Sequence, residues 1–243
     1  MKSLLCSGLA AIALFSFVLV RQQYHQRQTG LSKIETADLS QPPARSNTSV
    51  SIPSERVAGR IKALNGFSWH YGYDIGLKDD KVVIQVRINL LPGEGVSKPD
   101  IERVEPSWER GIERIWSDKF SLETSSGKKY PVVIDVTFRG PEFHHDVIVR
   151  PGSGGTDELN WNLLDTSERV AHEFGHMIGL FDEYDKGALA PQNPLIDSGS
   201  IMTSDPGQGV IARERHFEPF RRWFVRKTMM SNVRIIHEQA TYE

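Results

Sequence analysis

Cysteine is almost absent from this sequence. Cys6 is the single cysteine among 243 residues. One cysteine cannot form an internal disulfide. Cys6 also lies in an apolar N-terminal segment, so the rest of the chain has no thiol to serve as a nucleophile, a metal ligand or a cysteine-based latency switch. Enzyme classes that depend on a thiol are therefore excluded for the folded part of the chain.

An excess of one charge is also missing, since the formal net charge is −2 at pH 7. Proteins that bind nucleic acids show a basic excess or a basic stripe, so we expect no nucleic-acid partner. The charged and hydrophobic fractions, 25% and 39%, are those of an ordinary globular protein with a packed core. A chain of this length has room for one large domain with an anchor and a linker, and we expect a monomer.

Charged residues are missing from a long apolar run near the N-terminus, between Lys2 and Arg21. The run is just long enough to cross a bilayer as a helix, and no small-residue cleavage pattern follows it. We interpret residues 1–21 as an uncleaved signal anchor, with a cleaved signal peptide as the alternative. The following domain would then lie outside the cytoplasm, either tethered or secreted. Basic residues flank both ends of the run, so its orientation stays open.

Large apolar residues are scarce in residues 22–56, which are rich in Gln, Ser, Thr and Pro. Such a composition cannot bury enough apolar surface to fold, so we interpret this segment as a flexible linker. The folded domain is then expected to occupy residues 57–243.

Apolar periodicity predicts four strands and three helices in this domain. Runs rich in β-branched residues predict strands over 81–90, 130–138 and 145–150. Residues 157–164 are a candidate fourth strand. The helical spacing predicts a first helix over 99–120, in which Pro106 either marks the true start or causes a kink. A second helix runs from an N-cap at Thr166 or Ser167 to about Ile178. An aromatic-rich third helix follows near the C-terminus.

This order of elements predicts an α/β fold. A long helix between the first two strands implies that these strands are parallel and that their connection is right-handed. We therefore expect a small, mixed and mostly parallel sheet with a crossover helix, an active-site helix and a small C-terminal helical subdomain.

The second predicted helix carries a motif with metal-binding spacing, His172-Glu173-Phe174-Gly175-His176. Residues four apart lie on one helical face, so both imidazoles can reach one metal ion. Zinc in catalytic sites takes three protein ligands and keeps one position open for water. The pattern alone also occurs in helices whose histidines are ordinary polar residues, so its continuation decides the interpretation.

The continuation supplies a turn and a carboxylate. Gly179 can adopt a positive φ, which lets the chain reverse and bring Asp182 back towards the histidines. Asp182 would complete a set of two histidines and one carboxylate, with Glu183 as the alternative third ligand. Glu173, beside the first histidine, is placed to face a water molecule and act as the catalytic base.

The run from His172 to Asp182 resembles the extended zinc motif of the metzincin metallopeptidases, with Asp in place of the third histidine, as in snapalysin-like proteases. Met202, 26 residues after His176, resembles the methionine of the turn that metzincins place under the metal. The resemblance implies a zincin fold, Zn²⁺ as cofactor and cleavage of peptide bonds. One departure is that no tyrosine stands two residues beyond Met202, so the tyrosine ligand of some metzincins is missing.

Together these patterns predict a zinc-dependent endopeptidase that acts on a peptide or protein substrate. The alternative is a membrane-tethered protein whose structural zinc supports partner binding. Tyr184 and His216 are candidate contacts to the substrate or transition state, although we prefer a packing role for Tyr184 and a position at the start of the C-terminal helix for His216. The resemblance also suggests that the strand 145–150 is a sheet edge along the cleft, where a peptide could add as a further strand.

Overall fold

The computed structural model describes residues 50–238. The predicted anchor, residues 1–21, and most of the predicted linker lie outside the described residues. In the described part, no helix combines the length and the apolar character needed to cross a bilayer. The first strand begins at Ile52, so regular structure starts before the boundary expected at residue 57.

Residues 50–238 form eight strands, three α-helices and one short 3-10 helix. The strands are β1 (Ile52–Lys62), β2 (Ser68–Lys78), β3 (Lys81–Pro92), β4 (Phe120–Glu123), β5 (Lys129–Thr137), β6 (His145–Arg150), β7 (Asn160–Asn162) and β8 (Arg234–His237). The helices are α1 (Lys98–Trp116), α2 (Ser167–Met177) and α3 (Glu218–Thr228), with the 3-10 helix Glu214–Phe217 directly before α3.

The strands form one mixed sheet that divides at β3. Its main path is β1-β2-β3-β5-β4-β8. The first half of β3, Val82–Arg87, pairs with β5, and its second half, Ile88–Pro92, pairs with β6, which in turn pairs with β7. The branch formed by β6 and β7 leads directly into α2, the helix that carries the histidines.

The prediction of a mostly parallel sheet is wrong, although the α/β class is confirmed. Four strand pairs are antiparallel, β1–β2, β2–β3, β4–β5 and β4–β8. Three are parallel, β3–β5, β3–β6 and β6–β7. All four predicted strands lie in the parallel pairs, and every antiparallel pair contains a strand that the periodicity did not reveal. The error therefore comes from missed strands and not from misplaced ones.

The strand 145–150 is not a sheet edge, because β6 pairs with β3 along one side and with β7 at Ile148–Arg150 on the other. The outer strand of this branch is β7 in the described part of the chain, which pairs with β6 alone.

Two expectations about the helices also need correction. Helix α1 begins at Lys98 and continues through Pro106, so the proline lies inside the helix and does not mark its start. The C-terminal helix does not form a separate subdomain. Side chains from Phe217 to Phe224 belong to the same core cluster as the sheet residues, and the chain after α3 returns to the sheet as β8. The four-residue β8 is too short for periodicity to detect.

Helices α1 and α2 pack closely, and this contact positions the histidine motif. Trp116 donates a hydrogen bond from Nε1 to the carbonyl oxygen of Ala171 at 2.9 Å. A side chain at Gly111 would collide with Ser167, so glycine at this position permits the approach of the two helices. Trp108 and Trp116 are both almost fully buried, and burial of such large aromatic rings contributes a few kcal/mol each.

The buried His145 at the start of β6 makes stability depend on pH. Its Nε2 donates to the carbonyl oxygen of Gly72 at 2.9 Å, and burial lowers its pKa from 6.5 to about 4. The unfolded chain takes up this proton below pH 6.5 while the folded chain does not, so stability falls as the pH drops from about 6.5 to 4. The full contribution is about 3 kcal/mol.

We expect His145→Gln to remove this part of the pH dependence, since glutamine can still donate to Gly72 but does not titrate. The free energy of unfolding, measured with denaturant from pH 7 to pH 4, should fall less steeply in the variant than in the original chain. His70→Gln, an exposed position on the neighbouring β2, is the matched control and should leave the slope unchanged. Equal slopes for His145→Gln and the original chain would show that His145 is not the group responsible.

Candidate metal centre

Helix α2 presents two buried histidines on one face. Thr166 caps its start by accepting a hydrogen bond from the backbone N–H of Arg169 at 3.2 Å, one of the two predicted N-cap positions. His172 and His176 are one turn apart, and their ring centroids are 5.1 Å from each other. Both side chains are buried, so they are not the surface histidines that the motif alone allows.

The chain turns back after α2 and places a carboxylate against both imidazoles. Gly179 adopts φ +97°, the positive value that the sequence predicts. As a result, Oδ1 of Asp182 lies 3.2 Å from Nε2 of His172 and 3.3 Å from Nε2 of His176. The three residues predicted as ligands therefore meet at one point.

Backbone carbonyl groups fix the orientation of both imidazole rings. Nδ1 of His172 lies 3.0 Å from the carbonyl oxygen of Ile201, and Nδ1 of His176 lies 2.9 Å from that of Leu180. A carbonyl oxygen can only accept, so each Nδ1 carries the hydrogen and donates it. In the neutral rings the lone pair is then on Nε2, the atom that faces Asp182. This is the arrangement by which metal-binding histidines are held in proteins.

The two oxygens of Asp182 have different environments. Oδ2 accepts a hydrogen bond from the backbone N–H of Ala188 at 2.6 Å. Oδ1 is buried and has no hydrogen-bond donor among residues 50–238. A buried carboxylate oxygen without a donor is costly, and this one faces the Nε2 atoms of both histidines.

The spacing of these three atoms fits a metal ion. Ligand atoms at about 2.0–2.1 Å from a tetrahedral zinc ion are about 3.3–3.4 Å from each other. The distances of 3.2 and 3.3 Å from Oδ1 of Asp182 to the two Nε2 atoms are close to that value. The buried group that contains His172 and His176 could therefore hold a metal ion.

The electrostatics of the group also require a positive charge. Burial opposes ionisation of Asp182, but the adjacent imidazoles hold its pKa well below the usual range, so the carboxylate stays charged. Burial would likewise lower the pKa of His176, yet the contact with Asp182 overrides it and raises this pKa to about 9. A proton on His176 or a bound cation can each compensate the buried carboxylate.

Glu173 lies beside this group and is itself buried. One donor atom each from His172, Glu173 and His176 lie within 4.8 Å of one another. Burial raises the pKa of Glu173 to about 8. Because a divalent cation favours nearby ionised carboxylates, a metal ion held by the histidines would lower this pKa towards the range of a general base at neutral pH.

Glu183, the alternative third ligand, points elsewhere. Arg215 donates to both of its carboxylate oxygens, at 2.7 and 2.6 Å. His216 accepts a hydrogen bond at Nδ1 from the backbone N–H of Arg213, so its Nε2 donates to Glu183, at 3.2 Å. His216 is thus buried in an ion-pair network and does not face the imidazoles. The carboxylate that contacts both histidines is that of Asp182.

Met202 lies directly under the histidine helix. A side-chain carbon at Gly175, between the two histidines, would collide with the Met202 sulfur. The Met202 carbonyl oxygen accepts a hydrogen bond from the backbone N–H of Glu183 at 2.8 Å. The turn around Met202 therefore contacts both α2 and the segment that carries Asp182.

An open cavity of about 280 Å³ adjoins the buried group. Tyr184 lines it, and burial with the nearby Asp182 raises the pKa of this tyrosine to about 12. The wall consists of Asn65, Phe67, Trp69, Thr156, Asp157, Glu158, Arg169, His172, Glu173, His176, Asp182, Tyr184, Lys186, Gly187 and Ala188.

Sequence reasoning missed three residues of this site. Trp69 on β2 donates from Nε1 to the carbonyl oxygen of His176 at 3.0 Å. Glu158 is a buried carboxyl group whose pKa is raised by burial. Gly187 lies against the Asp182 side chain. All three lie far from the histidine motif or outside its pattern, so no local signal marked them.

Comparison of the chain with protein-family models, with curated protein sequences and with solved structures produced no match.

Gly187 provides a test of the support around Asp182. An added Cβ at this position would lie 2.7 Å from Cβ and 2.9 Å from Oδ2 of Asp182. Gly187→Ala should therefore displace the carboxylate and weaken zinc binding about 10- to 100-fold, the range for residues that orient a ligand. Isothermal titration with Zn²⁺ measures this effect.

The matched control is Gly207→Ala, because a Cβ at Gly207 meets no atom within 4 Å. This variant should bind zinc like the original chain. If Gly187→Ala and Gly207→Ala bind zinc equally well, the loop around Gly187 does not orient Asp182.

Proposed function

We propose that this protein is a zinc-dependent endopeptidase. The observation that carries the proposal is the buried Oδ1 of Asp182, which has no hydrogen-bond donor in the described chain and faces two Nε2 atoms beside an open cavity. A donor set of two imidazoles and one carboxylate, with Glu173 next to it, is the set used by zinc hydrolases.

His172, His176 and Asp182 would hold the ion. Two nitrogen donors and one oxygen donor suit zinc better than magnesium or calcium, which prefer oxygen ligands alone. When bound, zinc lowers the pKa of a coordinated water and polarises a peptide carbonyl group.

Glu173 would perform the proton transfers. Its carboxylate accepts one proton from the attacking water and later delivers a proton to the nitrogen of the leaving amine. The two protons that the peptide products require thus come from the water itself. No serine or cysteine nucleophile takes part, and no acyl-enzyme forms.

Tyr184 would assist by donating a hydrogen bond to the substrate. It lines the same cavity, and its raised pKa keeps the hydroxyl protonated at neutral pH. A positioned O–H group can stabilise the negative charge that develops on the carbonyl oxygen.

Several features support a metzincin-like enzyme. They are the spacing from His172 to Asp182, the turn at Gly179 and the methionine under α2. The sheet differs from our expectation for such enzymes, because the hairpin β1–β2 and the pair β4–β8 make it mostly antiparallel. We therefore base the proposal on the site and not on the fold.

The alternative function, a structural zinc that supports partner binding, is less consistent with the site. Structural zinc sites are closed by four protein ligands. Here the carboxylate of Glu183 accepts a hydrogen bond from Arg215, so it does not serve as a fourth ligand. The histidines border an open cavity. A buried carboxylate at Glu173 also has no purpose in a purely structural site.

The proposal predicts that Glu173→Gln abolishes turnover without releasing the metal. Loss of the general base should lower kcat by about 10²- to 10⁴-fold, while the ligands stay unchanged. The full-length chain, loaded with zinc, is incubated with a diverse peptide mixture, and the products are identified by mass spectrometry. Zinc content is measured in parallel.

Glu168→Gln is the matched control, because Glu168 is on the same helix but interacts with Arg114 away from the cavity. It should cleave like the original chain, and a chelator should stop cleavage in both. Cleavage by Glu173→Gln at the original rate would refute the role of Glu173.

A further inference from the structure

The turn between β1 and β2 contacts the loop that follows Asp182 in the candidate metal centre. We call residues 63–67 the hairpin tip. The backbone N–H of Leu64 donates to the carbonyl oxygen of Leu189 at 2.9 Å, and Nδ2 of Asn65 donates to that of Gly187 at 3.3 Å. These bonds attach the hairpin tip to the loop that holds Asp182, so the tip has a defined position beside the site.

Trp69 attaches the same hairpin to the histidine helix. It is buried, and its Nε1 donates to the carbonyl oxygen of His176 at 3.0 Å. Its ring lies edge-on to His176, with centroids 5.2 Å apart. The hairpin is thus fixed on two sides of the metal centre.

Phe67 stands out on this fixed tip because its ring remains exposed. About 53% of its surface is accessible, its centroid lies 6.1 Å from that of Trp69, and it forms part of the cavity wall beside His172 and Glu173. An exposed aromatic ring that is held in place at a cavity wall is unfavourable in water and offers apolar surface to a ligand.

Leu64 provides an internal comparison. It lies on the same tip and is 59% exposed, but it does not line the cavity. Exposure alone is ordinary for single apolar surface residues. The distinguishing property of Phe67 is that it is exposed and also forms part of the cavity wall.

Apart from Asp182 and Glu173, which belong to the candidate metal centre, the charges around the cavity do not favour one sign. Asp157 and Glu158 lie on the wall with Arg169 and Lys186. Arg169 donates to the carbonyl oxygen of Ser204 at 3.0 Å, so its position is set by the protein. With mixed charges on the wall, the exposed apolar surface of Phe67, packed against the buried Trp69, is the feature best able to select a side chain.

From these contacts we infer that Phe67, supported by Trp69, forms a specificity subsite for an apolar side chain of the peptide, next to the bond that is cleaved. The inference rests on the proposed endopeptidase function. Phe67 is a binding residue here and takes no part in the proton transfers.

The test compares Phe67→Ala with Leu64→Ala in the full-length, zinc-loaded chain. Cleavage of a random-sequence peptide library, read by mass spectrometry, gives the residue preference at each position around the cleaved bond. We expect the original chain and Leu64→Ala to share a preference for apolar residues at one position, and Phe67→Ala to lose it about tenfold.

A binding measurement provides a second readout that does not depend on turnover. The best-cleaved peptide is titrated calorimetrically into zinc-loaded Glu173→Gln, alone and combined with either alanine substitution. Phe67→Ala should weaken binding about tenfold, whereas Leu64→Ala should not change it. Zinc content and melting temperature should be equal in all variants, because both residues are exposed.

The outcomes separate this inference from the proposed function. If the original chain cleaves no peptide, the endopeptidase proposal fails. If it cleaves but Phe67→Ala keeps the same preference and affinity, the subsite is wrong while the enzyme stands. A preference for basic residues that is unaffected by Phe67→Ala would also overturn the inference, because it would assign recognition to the acidic wall residues Asp157 and Glu158.

Discussion

The carboxylate of Asp182 is the group on which the arrangement of the site depends. One of its oxygens is bound by the backbone N–H of Ala188, while the other is buried against the Nε2 atoms of two imidazoles. This buried negative charge needs a positive partner at that point. The Gly179 turn, the carbonyl groups that orient the imidazoles and the loop at Gly187 together position the three candidate metal-ligand atoms.

The histidine helix and the turn after it could be predicted from the sequence because their determinants are local. The spacing of His172 and His176 places both on one helical face, and Thr166 and Gly179 mark the ends of the segment through side-chain capping and positive φ. The return of Asp182 to the imidazoles also follows from that short turn. Three of the four predicted strands have strong β-branched runs, and all four are found in the parallel part of the sheet.

The rest of the fold depends on long-range contacts that leave little local trace. Strand β1 alternates only between half-buried and exposed positions, and Glu55 and Gly59 on its half-buried face weaken the apolar alternation that marks a strand. Strands β4 and β8 have four residues each, too few for a periodic signal. The role of Trp69 is invisible for the same reason, because its partner, the carbonyl group of His176, is more than 100 residues away along the chain.

The central claim is that Asp182, and not Glu183, completes a zinc site with the two histidines, and zinc titration of the full-length chain tests it directly. The original chain should bind one zinc ion, and Glu183→Gln should bind it with similar affinity, because Glu183 is held by Arg215. Asp182→Asn should bind at least about 100-fold more weakly, since a ligand is lost and not merely its support. Tight zinc binding by Asp182→Asn, together with loss of binding in Glu183→Gln, would contradict the account.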